Sequence, residues 1–305
     1  MDCIPDEIIL KIFRLLNKRD LCNCSKVCKR WNRLTYENEL WTDFSLNEIS
    51  KPKWGSSSLI SLADTTFLIM HRFSTNIVYV DLAKLCFSFE TLDILFQRCQ
   101  NLKSLIINFK YLQIRPDKHL VDKCIHTWPM NKLEKLYLKN VCDMKTRRFN
   151  MKQTSGDWPS TSSSTSTTSI NPHSYDMIEI EIIKLIRILL RRNSASLSSL
   201  GLKCVDPNVI SACVHDFTHL EIILLNNIND TDSVLQEIAY ACKNLKCIEL
   251  TKCSEFQGDG LQELIEQCPK LETLQLGKWI YPKIVELNEI NWTILKHNLR
   301  ELSIT

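Results

Sequence analysis

Leu245-Lys246-Cys247-Ile248-Glu249-Leu250-Thr251-Lys252-Cys253 leads, after a short break, into Gly258-Asp259-Gly260-Leu261-Gln262-Glu263-Leu264-Ile265-Glu266-Gln267-Cys268-Pro269-Lys270-Leu271-Glu272-Thr273-Leu274-Gln275-Leu276. Leu245, Ile248 and Leu250 set a frame that restarts at Leu271, Leu274 and Leu276, twenty-six residues on. Its alternating end predicts a short strand, and Leu261, Leu264 and Ile265 between the copies fall at helical spacing. One strand and one helix cannot bury their shared apolar side alone. Copies of this unit must therefore stack.

The same frame occurs at Ile77-Val80-Leu82, Leu102-Leu105-Ile107, Leu133-Leu136-Leu138, Leu197-Leu200-Leu202, Leu220-Ile223-Leu225 and Leu299-Leu302-Ile304, with a degenerate first copy at Trp41-Phe44-Leu46. Thr91 to Cys99 and Asp232 to Cys242 repeat the helical half seen at Gly260 to Cys268. Recurrence at roughly 23 to 31 residues is similar to leucine-rich repeats. Cys99, Cys242 and Cys268, each three residues before a frame leucine, resemble the cysteine-containing subtype. The resemblance implies an α/β solenoid: a curved parallel sheet with outer helices. Burying each frame leucine is worth about 2 kcal/mol, so those residues are structural.

Binding then falls to strand residues that alternate outward. By this register they are Tyr79, Asp81, Ser104, Ile106, Lys135, Tyr137, Lys139, Ser199, Lys203, Ile222, Leu224, Glu249, Thr251, Thr273 and Gln275. Tyr79, Ile106, Lys135, Tyr137, Lys139, Lys203, Ile222, Leu224, Glu249 and Gln275 are the candidate substrate contacts. Lys135, Lys139 and Lys203 suit an acidic or phosphorylated segment, and Ile106, Ile222 and Leu224 offer apolar contacts.

The N-terminus follows a different rule. Pro5 suits a first helical position, and Asp6 and Glu7 complement the dipole of a first turn. Ile8, Ile9, Ile12, Phe13 and Leu16 follow at spacings of three and four, while Leu10 and Leu15 widen the apolar stripe, so one helix serves two surfaces. Asn17-Lys18-Arg19 interrupts the pattern. Asp20 is the expected cap of a second helix carrying Leu21, Cys24, Val27, Cys28 and Trp31, and Leu34, Leu40 and Trp41 complete the unit. This is more apolar surface than so short a segment buries alone, which predicts a protein partner.

Ile-Pro-x-Glu at Ile4 to Glu7, Ile-Phe-x-x-Leu at Ile12 to Leu16, Asp20-Leu21 and Val-Cys-Lys-x-Trp at Val27 to Trp31 together resemble the F-box, an all-α three-helix domain. Ile4 stands where that family usually has Leu. With the repeats behind it, the chain resembles the F-box/leucine-rich-repeat substrate receptors of SCF ubiquitin ligases. The resemblance implies an F-box over residues 1–45 that docks a Skp-type adaptor through Ile4, Pro5, Glu7, Ile8, Ile9, Ile12, Phe13, Leu16, Leu21, Val27, Cys28 and Trp31. It implies a solenoid over 46–305 that holds an unidentified protein substrate for ubiquitination and proteasomal degradation. Cullin and RING subunits join indirectly through the adaptor. The alternative is an adaptor-bound interaction protein without ligase function.

Composition narrows the remainder. At 305 residues, 44% hydrophobic and 24% charged, the sequence is that of a soluble globular protein, and its net charge of +3 is too small to indicate a nucleic-acid partner. No apolar run spans a membrane and no secretory signal opens the sequence, so a cytoplasmic or nuclear location is expected, with the fourteen cysteines reduced and used as apolar filler. The frame breaks between residues 144 and 175, where basic Lys145 to Arg148 leads to a Ser/Thr tract at 160–169. A disordered surface loop at about 150–173 is expected there. Tyr175 to Leu190, with Ile178, Ile182, Leu185, Ile186 and Leu189, resumes the helical pattern.

Chemistry of its own is not expected of this chain. Cys22-x-Cys24-x-x-x-Cys28 and Cys213-x-His215 with His219 contain metal-ligand residue types, but no Cys-x-x-Cys occurs and zinc-finger spacing is absent. No phosphate-cradling Gly loop or His-Glu-x-x-His is present. The chain reads as a non-catalytic receptor with no cofactor and no metal.

Overall fold

The computed structural model describes residues 4–45, 73–84, 87–113, 128, 132–141, 172–254, 258–277 and 299–304. The expected disordered loop lies outside them except at its last two residues, which are helical. Two compact units are present, residues 1–106 with 111–113, and residues 107–110 with 114–305.

In the first unit, α1 (Asp6–Phe13), α2 (Lys18–Cys24) and α3 (Lys29–Leu34) enclose Ile9, Phe13, Leu21 and Leu34. Asp6 fixes α3 to the start of α1 by accepting from Arg30 Nε at 2.7 Å and from Arg33 at 2.5 Å. The cap of α2 is Asn17, not Asp20: the Asn17 side chain accepts from the Asp20 backbone N–H at 2.8 Å, and Asp20 accepts from Asn17 Nδ2. Asn caps as well as Asp does, and starting one turn earlier places the Asp20 carboxylate inside the first turn, where it complements the dipole.

The bundle runs directly into a sheet. A short 3-10 turn, Asn38–Trp41, buries Leu40 and Trp41. The Trp41 indole donates to the Thr35 carbonyl at 2.8 Å and stacks on Phe73 at 4.7 Å. Thr42 O accepts from Val78 N at 2.7 Å, and β1 (Asp43–Ser45) pairs in parallel with β2 (Tyr79–Leu82), setting Phe44 beside Val80. The degenerate copy at Trp41 is thus a real strand position; its Leu46 lies outside the described residues. β3 (Phe87–Ser88) leads into α4 (Phe89–Arg98), whose start carries a Ser88/Thr91 capping box, and β4 (Ser104–Asn108) lies beside β2. β3 also pairs in parallel with β5 (Leu112–Gln113).

The second unit is α/β with a parallel sheet. β6 (Lys135–Lys139), β7 (Ser199–Lys203), β8 (Ile222–Asn226), β9 (Cys247–Thr251), β10 (Thr273–Leu276) and β11 (Glu301–Ile304) lie in sequence order. Their register joins Leu136, Leu200, Ile223, Ile248, Leu274 and Leu302 in one row, as the spacing predicts; all are buried but Leu302 on β11, which is 46% exposed. Long α5 (Pro172–Asn193), short α6 (Pro207–Ser211), α7 (Thr231–Ala241) and α8 (Asp259–Gln267) bury their apolar stripes, among them Leu185, Ile186, Leu235, Ile238, Leu261 and Leu264. The expected helix at Tyr175 to Leu190 lies within α5; the Ile178 side chain is outside the described ones.

Successive copies are joined by the same kinds of bond. Asn244 donates to the Thr218 carbonyl at 2.8 Å, and Asn101 in the first unit donates to Thr75 at 2.6 Å; each bond spans twenty-six residues. Asp232 Oδ1 accepts from the backbone N–H groups of Gly258 and Gly260 at 3.2 and 3.0 Å, capping α8 from the preceding copy.

Each of β6 to β9 ends in a left-handed corner: Asn140, Cys204, Asn227 and Lys252 have φ of 57°, 52°, 55° and 56°. Every side chain there brings its Cβ towards the carbonyl oxygen; Asn offsets that cost because its short polar side chain hydrogen-bonds locally, and Lys does not. Lys252→Asn is therefore expected to stabilise the protein by about 0.5–1 kcal/mol, read as a higher urea midpoint.

Most repeat cysteines are interior. Burial pushes the Cys99 and Cys242 thiols up to about 12 and Cys268 to about 11. Cys28 is exposed. Iodoacetamide under native conditions is expected to label Cys28 first and spare Cys99, Cys242 and Cys268 until the chain unfolds; mass spectrometry of the labelled peptides checks this. In the unfolded chain these thiols ionise near 9.0, whereas the folded chain keeps their protons further up. Their contribution to stability is complete below pH 9 and is lost as pH rises from there towards the folded values.

Candidate docking surface

Two apolar stripes run along α1, and the structure assigns them different tasks. Ile9 and Phe13, one turn apart, point into the bundle and are 4% exposed or less, as is Leu21 of α2. Phe13 meets the half-buried Trp31 edge to face at 5.3 Å. This corrects the twelve-residue docking face: Ile9, Phe13 and Leu21 cannot touch a partner without opening the bundle. Their burial, and the pairing of Phe13 with an aromatic from α3, make them its core.

The second stripe is left outside. Ile8 and Ile12 of α1, with Ile4 before it, Leu15 after it and Val27 beyond α2, are between 43 and 86% exposed, and Pro5, Glu7 and Cys28 are exposed beside them in the sequence. Leu16 is half-buried. Leu15 is the most exposed large apolar residue of the group and was not among the predicted docking residues. Its signal was the spacing, since positions 8, 12 and 15 continue one face of a helix. Five large apolar side chains held in solvent over so short a segment mark an interaction site. Arg30 strengthens the scaffold beneath them by donating to the Ile4 carbonyl at 2.5 Å, which fixes the approach to α1.

Among the predicted sheet contacts of the second unit, Lys135 and Lys203 are exposed, and Tyr137, Lys139, Ile222, Leu224, Glu249 and Gln275 are partly exposed. In the first unit, Tyr79 and Ile106 are partly exposed as well. Asp81 and Ser199, expected outward, are instead buried. Asp81 turns back to accept from the Ala83 N–H at 2.7 Å, and Ser199 is covered by Tyr137, whose hydroxyl lies 3.1 Å from Ser199 Oγ. The missing side chain at Gly201 admits that ring, since a Cβ there would lie 2.2 Å from Tyr137 Cδ1. Among the described residues no cluster of three or more His, Cys, Asp or Glu could hold a metal. Burial raises the pKa of the Cys22, Cys24 and Cys213 thiols, which opposes thiolate chemistry there. No described helix is long and apolar enough to cross a membrane.

Residues 1–47 match the F-box-like family model. The chain is 45% identical over 38 residues to F-box/LRR-repeat protein 5 of Danio rerio, a stretch that is 12% of this chain and 6% of that protein. It is 39% identical over 64 residues to F-box/SPRY domain-containing protein 1 of Aedes aegypti, 20% of this chain and 24% of the relative. A third match, 44% over 41 residues, is to lysine-specific demethylase 2B of Mus musculus and takes in 13% of this chain and 3% of that enzyme. The chain thus spans a small part of the curated relatives it matches. With the exposed stripe and its three-helix support, these matches identify the N-terminus of the chain as an F-box-like domain, similar to that of proteins named F-box/LRR-repeat protein.

Proposed function

We propose that this protein is the substrate-recognition subunit of an SCF-type cullin-RING ubiquitin ligase. The observation that carries this is the outward stripe of Ile4, Ile8, Ile12, Leu15 and Val27 within the segment that matches the F-box-like model. On this reading the stripe docks a Skp-type adaptor, and the adaptor brings cullin and the RING subunit. The aligned frame residues of β6 to β11 support a leucine-rich-repeat solenoid whose outward strand residues hold a protein substrate. The chain performs no catalysis: holding a substrate lysine near a charged conjugating enzyme replaces a bimolecular encounter with a local one. It works in the cytoplasm or nucleus, without a nucleic-acid or membrane partner.

Reconstitution tests it. The full chain, mixed with a Skp-type adaptor, cullin, RING subunit, ubiquitin and its activating and conjugating enzymes, is expected to co-purify with cullin and to direct ubiquitin onto proteins it captures. Capture of adaptor without cullin would instead support the non-ligase interaction protein. Failure to capture adaptor would overturn both.

A further inference from the structure

The outward face of the second unit's sheet is sorted by charge across its strands. Lys135 and Lys139 stand on β6 and Lys203 on β7; the register places Lys139 directly beside Lys203. Like charges on adjacent strands repel. None of the three has an acidic partner among the described residues, whereas Lys246 and Arg300, just before β9 and β11, pair with Glu221 and Glu272. The next strand, β8, contributes Ile222 and Leu224, both partly exposed. Beyond it the sign reverses: Glu249 on β9 occupies the same row as Leu224, and Gln275 on β10 donates to the exposed Glu301 on β11 at 3.2 Å.

We infer that this face binds an extended peptide segment lying across the strands, acidic at the β6 and β7 end, apolar over β8, and basic at the β9 to β11 end. The inference rests on the reading of the sheet as a substrate surface and specifies what that surface accepts. At about 4.8 Å per strand, β6 to β9 is about 14 Å and β6 to β11 about 24 Å. At about 3.3 Å per extended residue, the segment is roughly four to seven residues long. Complementary ends select partners and fix their direction more than they add affinity, because mismatched ends set like charges against each other. A uniformly acidic or phosphorylated segment meets Glu249 and Glu301 at its far end and is disfavoured.

The test uses the full chain bound to its adaptor and three labelled heptapeptides with a common apolar centre: Glu at one end and Arg at the other, Glu at both ends, and Arg at both ends. Fluorescence anisotropy is expected to rank the polarised peptide about tenfold tighter than either uniform one, with the difference shrinking as salt rises. The double variant K139E/K203E, whose changes are at partly or fully exposed positions and are expected to leave the melting temperature unchanged, is expected to prefer the peptide with Arg at both ends. Equal binding of the three, tighter binding of the uniformly acidic peptide, or no binding at about 1 mM would overturn the inference. Retention of adaptor by both proteins shows that any such failure belongs to the sheet face and not to the F-box.

Discussion

Replacing Ile8 and Ile12 together by Glu is expected to abolish capture of a Skp-type adaptor while leaving the protein folded. Both side chains are roughly half exposed in the free chain, so the substitutions neither open a cavity nor bury a charge within it. On the proposed docking the same positions are covered by the adaptor. Two half-exposed isoleucines that lose about 1 kcal/mol each on failing to desolvate weaken binding by about one to two orders of magnitude, and the cost of setting carboxylates against an apolar partner removes the rest. Phe13→Ala supplies the contrast. Phe13 is 2% exposed and packs against Trp31, so its truncation is expected to cost about 3–5 kcal/mol of stability and to lose adaptor through unfolding of the bundle. A pull-down read beside a thermal melt separates the two. Adaptor captured at wild-type level by the Ile8/Ile12 variant would exclude this stripe as the docking face.

The difference between these positions shows what the sequence could carry. Two apolar stripes on α1 were legible from spacing, and a partner followed from their combined area. Which stripe faces inward was not, because it depends on Trp31 arriving from another helix to meet Phe13. The frame of the second unit was legible: Leu136 through Leu274 align where the period put them, since each one's burial requires the same register on the strand before it, and Leu302 keeps the register although it is 46% exposed. Outward positions were harder. Alternation places Ser199 on the open face, but Gly201, two residues on, lets Tyr137 fold across and cover it. An absent side chain leaves no mark in a periodicity. Asp232 was equally hidden, because a carboxylate in the first turn of one helix reads as dipole compensation and not as the cap of the next.

That cap leads to the second large effect, at Gly260. A Cβ built there lies 2.4 Å from the Asp232 carbonyl oxygen, 2.8 Å from its Cα and 2.9 Å from its carbonyl carbon. All three are backbone atoms and cannot turn aside, so any side chain at Gly260 must drive the start of α8 away from the start of α7. The same displacement breaks the bonds from Gly258 and Gly260 to Asp232 Oδ1. Gly260→Val is therefore expected to cost about 3 kcal/mol, combining overpacking with two lost capping bonds. Gly201→Ala looks as severe by distance, but its Cβ meets the Tyr137 ring, which can swing out. About 1 kcal/mol or less is expected there, with loss of the Tyr137 to Ser199 contact as the main consequence. Urea denaturation of both variants decides the point. If they shift the midpoint equally, α7 and α8 do not approach as closely as the glycine implies; if Gly260→Val alone collapses it, close backbone approach and the Asp232 cap lock those two copies together.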